Sequence, residues 1–256
     1  SQYQSARGAR QSALHHIIKA KGACFGSVAG WERPNWYAPG NINPDYEYSY
    51  GRQNWFDYAA QEHKAVREDV GLFDQSSFAK FVLKGRDAKN TLQIICSNNV
   101  DGEPGTVVYT AMLNSNGGIE ADVTVTRISE EEFWIFTGAA TSNRTLNWIK
   151  NNTPPESTVF LYDITSSYGV IGLMGPKSRA LLKKLTGDEL SSQQYPFRSS
   201  SEFEIGYATV RATRITYVGE LGWELQIPSE FMVNVYESIV SEGDNFNLRH
   251  AGYHAM

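Results

Sequence analysis

Apolar residues recur at helical spacing near the start of the chain, where Ala13, Leu14, Ile17 and Ile18 share one face and predict a short helix within residues 1–20. Residues 21–50 show neither a helical nor a strand period. Trp and Tyr there are mixed with Pro, Asn and Gly, which predicts an irregular aromatic segment packed over another surface. A helix is expected over residues 57–70, with Asp57 as its N-cap and Gly71 as its stop. The alternation in 78–84 predicts a half-buried strand, and Asp87 is placed to cap a helix running to about Cys96. Val107–Leu113 and Ala121–Ile128 alternate on either side of Asn114-Ser-Asn-Gly-Gly118, a hairpin pattern. A strand at 133–137 and a helix at 140–150 follow, and Pro154-Pro155 marks a break.

A second set then begins, with strands at 158–163 and 168–174. A helix comes next, opened by Gly175-Pro176 and closed by Gly187. A strand pair at 208–218 and 222–227 leads into an amphipathic helix over 229–241, through Met232, Val235, Tyr236 and Ile239. Strands come as hairpins, and helices are interspersed without regular βαβ alternation. The fold class this implies is α+β with mostly antiparallel sheets. The similar order of the two sets suggests a pseudo-repeat of two sheet-plus-helix units.

Composition narrows the function classes. With 41% hydrophobic and 20% charged residues the chain is of ordinary globular make-up. A net charge of -5 and no basic block argue against a nucleic-acid partner, and no run nears the roughly 20 apolar residues of a membrane helix. Cys24 and Cys96 are far apart and fit two reduced thiols, with Cys96 in the core. The chain starts at Ser1 without an initiator Met or leader and stops in Ala-Gly-Tyr-His-Ala-Met256, so both ends are expected to be internal to a longer protein.

Several motif readings fall away. Gly117-Gly118 lacks the Gly-Lys-Ser/Thr ending of a phosphate loop, and no dinucleotide fingerprint or nucleophile elbow is present. His250 and His254 are four apart and could share a helix face, but the five histidines show no metal spacing, so solvated surface is expected for them. Asp122 is the first candidate for chemistry. Read from its neighbours alone it is a polar residue on the outward phase of a strand, with Glu120 on the same face. Tyr217 and Glu224 flank the turn Gly219-Glu-Leu-Gly222; taken alone, they are better explained as a buried Tyr with its hydroxyl satisfied and a surface Glu.

Four stretches change that balance: Gly30-Trp-Glu-Arg-Pro-Asn-Trp36; Gly71-Leu-Phe-Asp-Gln-Ser-Ser-Phe-Ala-Lys-Phe81; Tyr109 to Val125; and Tyr217-Val-Gly-Glu-Leu-Gly-Trp-Glu-Leu225. In this order they resemble the aminomethyltransferase (glycine-cleavage T-protein) family, and its branch fused to sarcosine and dimethylglycine dehydrogenases in particular. In stand-alone aminomethyltransferases an Arg stands where this chain has Met256. The resemblance implies the aminomethyltransferase-like folate-binding fold, truncated before its C-terminal barrel. It makes residues 1–48 the tail of a preceding dehydrogenase module with an aromatic linker, and 49–256 an incomplete folate-binding domain.

The implied function is capture of the one-carbon unit from an N-methylated amine by tetrahydrofolate, as 5,10-methylenetetrahydrofolate, with FAD held in an upstream module of the same chain. The implied setting is the mitochondrial matrix. Asp122 would face the reactive end of the folate and assist the transfer. Glu224 would take the paired N–H donors of the pterin, with Tyr217 and Gln226 lining the pocket and the backbone around Val123 and Thr124 adding further folate contacts. The alternative is a regulatory role, as in the similar regulatory subunit of the pyruvate dehydrogenase phosphatase. Retention of Asp122, Tyr217 and Glu224 favours folate.

Overall fold

Along the chain the elements run α1 (His15–Ala20), β1 (Ala23–Val28), β2 (Trp31–Tyr37), α2 (Phe56–Glu68) and β3 (Val70–Asp74). A β-α-β-β-β-α-β set follows: β4 (Ala79–Lys84), α3 (Ala88–Ile95), β5 (Val107–Leu113), β6 (Ile119–Ser129), β7 (Glu132–Thr137), α4 (Ser142–Asn152) and β8 (Phe160–Asp163). The same succession then recurs in β9 (Tyr168–Met174), α5 (Ser178–Thr186), β10 (Ser200–Ile205), β11 (Ala208–Thr213), β12 (Gly222–Pro228), α6 (Met232–Gly243) and β13 (Leu248–His250). This computed structural model describes residues 2–256.

Two compact units result. Unit one holds the chain up to Ser77 together with Tyr168–Phe197 and Glu202–Met256; unit two holds Phe78–Ser167 and Arg198–Ser201. Unit two is built on an antiparallel sheet of order β5-β6-β7-β4-β8. Strand alternation puts Phe81, Leu83, Val123, Val125, Phe133 and Ile135 on one face, where they bury Leu92 and Ile95 of α3 and Ile149 of α4. Unit one carries a sheet of order β10-β11-β12-β9-β3-β13. Its core gathers Leu72, Ile171, Leu173, Trp223, Leu225 and Ile227 against Leu181 and Leu182 of α5 and Val235 and Ile239 of α6. The short pair β13–β3 is parallel, and the α+β class with mostly antiparallel sheets is the observed one.

The suggested pseudo-repeat is real, and its offset is 90 positions. Helices α3 and α5 start at Ala88 and Ser178, and α4 and α6 start at Ser142 and Met232 behind 3-10 turns at Ala139–Thr141 and Ser229–Phe231. Gly85 and Gly175 occupy the same strand-to-helix corner, with φ of +139° and +134°. Gly85 N donates to Glu131 O and Gly175 N to Leu221 O, each just before the set's fourth strand. A Cβ on Gly85 would stand 2.3 Å from Thr158 O, and one on Gly175 2.4 Å from Asp69 O, so only glycine lets the neighbouring backbone close in. Gly187, at φ +78°, ends α5 in the left-handed conformation that its sequence position predicts.

The structure corrects several expectations. The first helix covers only His15–Ala20; ahead of it, Arg7 grips Glu32 of β2 through Nε at 2.8 Å and Nη2 at 2.5 Å. Part of the segment expected to be irregular is the β1–β2 hairpin, with a register shift at Cys24/Phe25 that accommodates Pro34. Helix α2 starts at Phe56, and Asp57 does not cap it, because the Asp57 carboxylate pairs with Arg52 instead. Gly71 lies inside β3, whose residues are all buried between β9 and β13; a fully buried strand has no alternation to read. Asp87 makes no cap bond either, its carboxylate accepting Thr158 N–H at 2.7 Å. The strand expected over 208–218 ends at Thr213, and β10 and β13 were not anticipated.

Candidate functional site

Each unit places part of the predicted residue set. In unit two the β5–β6 turn is closed by Asn114, whose Oδ1 accepts the N–H groups of Asn116 and Gly118, while Gly117 supplies the left-handed step at φ +78°. This fixes the phase of β6. Ala121, Val123 and Val125 enter the core, and Glu120, Asp122 and Thr124 share the opposite face. Glu120 is occupied: Arg144 Nη2 donates to it at 2.6 Å and Asn114 Nδ2 at 2.8 Å, and these donors hold its carboxyl below the usual range. Asp122 is exposed and oriented by one donor, the Tyr109 hydroxyl at 3.0 Å, while Thr137 Oγ1 anchors its main-chain carbonyl at 2.9 Å. Val123 is buried in the core, so its side chain does not share the Asp122 face; Thr124 does, half-buried.

In unit one, β11 and β12 are joined by residues 214–221. Tyr217 stands 66% exposed on that loop, Gly219 turns it at φ +79°, and Glu220 pairs with Arg67 Nη1 of α2 at 2.6 Å. Glu224 is half-buried on β12, in register with Thr213 on one side and Gly172 on the other. Two residues on, Gln226 lies on the same face, buried, its Oε1 accepting Thr213 Oγ1 at 3.1 Å.

The sequence did not point to Gln75, which follows β3 and is fully buried. Its Nε2 donates to Glu224 Oε1 at 3.4 Å, its Oε1 is buried without a partner, and it fills the space over Gly172, where a Cβ would come within 2.5 Å of Oε1. No local signal marks it, since the preceding strand β3 is buried throughout and carries no readable alternation. The unit thus presents the half-buried Glu224 carboxylate, backed by the enclosed Gln75 amide, and the two carboxylate oxygens suit a group with adjacent N–H donors.

The histidine expectation fails at one of the two positions. His250 is in β13 and half-buried, its Nε2 bonded to the Tyr236 hydroxyl at 2.8 Å, and desolvation lowers its pKa to about 4. His254 stacks on Trp55 at 4.2 Å and meets the Tyr46 hydroxyl at 2.8 Å. His254 is nonetheless exposed, so only His250 departs from the expected solvated surface. Their neighbour Tyr253 bonds Ser77 through its hydroxyl at 3.1 Å beneath the Arg33 guanidinium, 4.0 Å from its ring, and burial raises its pKa.

Comparison with known proteins gives this geometry a context. The family model "GCVT N-terminal domain" matches residues 14–256. The chain is 39% identical over 255 residues to a 4-methylaminobutanoate oxidase (formaldehyde-forming) of Paenarthrobacter nicotinovorans, covering 100% of this chain and 31% of that protein. It is 36% identical over 248 residues to the mitochondrial dimethylglycine dehydrogenase of Mus musculus, covering 96% and 28%. It is 31% identical over 260 residues to the mitochondrial pyruvate dehydrogenase phosphatase regulatory subunit of Mus musculus, covering 99% and 30%. The chain therefore spans about a third of the length of these relatives. In fold it is similar to the glycine cleavage system aminomethyltransferase T from Bartonella henselae, with a TM-score of 0.78 at 22% identity, over 97% of this chain and 61% of the other.

Proposed function

Because this chain belongs to the GCVT N-terminal domain family, we propose that it is the tetrahydrofolate-binding module of an FAD-dependent oxidoreductase of N-methylated amines. Sarcosine and dimethylglycine are the proposed substrates, and the module captures the released one-carbon unit as 5,10-methylenetetrahydrofolate. The oxidoreductase names among the relatives support the reaction class, and the mitochondrial dehydrogenase supports a matrix location. FAD and the choice of amine belong to parts of the protein beyond this chain.

The observation that carries the reading is the acceptor pair at Glu224. A pterin edge offers a ring N–H beside an exocyclic amine, and the two oxygens of the half-buried Glu224 carboxylate supply acceptors for such a donor set. Bound folate supplies the amine nitrogens that accept the carbon. Gln75 holds the Glu224 carboxylate in its rotamer, and Thr213 does the same for the Gln226 amide. Tyr109 orients Asp122, which steadies positive charge as it develops during transfer. Exposed Tyr217 offers an aromatic face for the folate, and Thr124 a hydroxyl beside Asp122.

Calorimetric titration of the full-length protein with reduced folate tests this. Glu224→Gln is expected to weaken binding about 10- to 100-fold, the worth of a charge-assisted bond pair. Asp122→Asn is expected to leave affinity within about twofold and to slow methylenetetrahydrofolate formation. A folded protein that binds no folate, or a Glu224→Gln variant that binds as wild type, removes this reading and leaves the regulatory role to pursue.

A further inference from the structure

Most arginines with a structural role here close on a carboxylate, as Arg7, Arg67, Arg127, Arg144 and Arg211 do. Arg179 and Arg214 do not. Arg179 sits in the first turn of α5 and Arg214 directly after β11, and their guanidinium carbons lie 5.9 Å and 5.8 Å from the centroid of the buried Trp223 ring. Both converge on one atom: Arg179 Nη2 donates to Ser192 Oγ at 2.9 Å and Arg214 Nη2 to the same oxygen at 3.2 Å. Arg214 Nη1 also donates to the Tyr195 carbonyl. The Nε of each arginine is buried without an acceptor, and burial and the Arg179 charge together lower the pKa of Arg214.

Two guanidiniums gathered on a single neutral hydroxyl repel each other, and no carboxylate in ion-pair reach offsets the repulsion among the described residues. We propose that Arg179, Arg214 and Ser192 form an anion site for a phosphate monoester, independent of the folate reading. The choice of phosphate over carboxylate follows from charge and geometry. A carboxylate brings one negative charge and two oxygens, which a single guanidinium fork satisfies. A phosphate monoester brings close to two charges and three terminal oxygens, enough to face both guanidiniums and to accept the Ser192 hydroxyl proton. Trp223 supplies the rigid wall that holds both cations in place, its ring attracting them through its face.

The test is a titration of the full-length protein with inorganic phosphate, with acetate and with chloride at one constant ionic strength, read by calorimetry and by thermal midpoint. Phosphate is expected to bind saturably and raise the midpoint, and the other two anions to do neither. Arg179→Gln and Arg214→Gln should each weaken phosphate at least about tenfold, the loss of a charged hydrogen-bond donor set. Arg179→Lys should fall between them and wild type, since it keeps the charge and loses the fork. In chloride alone Arg179→Gln should melt at or above the wild-type midpoint, because a repulsion has been relieved; a purely structural arginine would melt lower. Acetate saturating as well as phosphate, or the double Gln variant binding phosphate like wild type, would overturn the proposal.

Discussion

Positions 134 and 224 occupy the same place in two copies of one pattern. Trp134 on β7 faces Val82 of β4, and Glu224 on β12 faces Gly172 of β9, every partner 90 residues from its counterpart. The inward positions between them are matched in kind: Phe133 with Trp223, and Ile135 with Leu225, all buried. The outward positions diverge, Trp134 and Phe136 in one copy against Glu224 and Gln226 in the other. Packing demands bulk and apolarity at core positions of any sheet of this order, whereas the other face is free to carry chemistry. Replacing Val82 by Gly172 is part of that change, since the missing side chain makes the room that Gln75 fills beside Glu224.

The sharpest way to break this equivalence is at its core. Phe133→Ala and Trp223→Ala should each lower stability by about 3–5 kcal/mol in urea denaturation, because both rings are enclosed and neither site can collapse on the void. If one substitution costs less than about 1.5 kcal/mol, the two positions are not structurally equivalent and the repeat ends short of the fourth strand.

The repeat was legible as an order of elements because hairpins and amphipathic helices leave period-2 and period-3.6 patterns, as in Val107–Leu113 and Met232–Gly243. What the chain hides is what long-range contacts decide. β3 reads Val-Gly-Leu-Phe-Asp, and its strand state comes from partners 97 and more residues away. The β1–β2 hairpin carries a proline and depends on a bulge, and its hold on residues before Arg10 comes from Glu32. For the candidate residues, exposure of Asp122 followed from strand phase, whereas Glu224, read alone as a surface residue, is half-buried between its neighbours on β11 and β9. Gln75 was out of reach because nothing local relates it to a strand 149 positions on. Polarity misled at His250: a histidine at the rim of a sheet reads as solvated until Tyr236 is seen beside it.

A smaller effect probes the shared corner. Gly85→Ala and Gly175→Ala force an L-residue into a φ near +135° and drive a Cβ onto a backbone carbonyl, so each should cost about 3 kcal/mol, read as a drop in urea midpoint at unchanged slope. Equal losses sharpen the comparison. A neutral variant at either position would show that the close approach of Thr158 or Asp69 is dispensable there.

The two units also differ in how they respond to pH. The shifted carboxylate of unit two, Glu120, owes its shift to a surface arginine. Unit one buries Glu62 of α2, 1% exposed, whose two oxygens accept Tyr37 N–H at 2.6 Å and Gly252 N–H at 2.9 Å. Those bonds favour the ionised form, but desolvation outweighs them and the pKa rises to about 7. An acid whose folded pKa exceeds its unfolded value near 4.5 binds more protons when folded. Its contribution is therefore whole below the unfolded pKa and is lost as pH rises through the folded one, about 2–3 kcal/mol in all. His250 acts in the opposite sense below pH 6.5, where its lowered pKa makes stability fall with acidification toward about 4. The two oppose each other in the acid range, and above it only Glu62 acts. Urea midpoints of the wild type should therefore decline between about pH 6.5 and 8. In Glu62→Gln they should rise from pH 4 to 6.5 and then stay level, and Glu120→Gln in unit two should leave the wild-type decline in place. A wild type without that decline, matched by Glu62→Gln at every pH, would mean that the Glu62 carboxylate is not held out of water and that the two units share one response to protons.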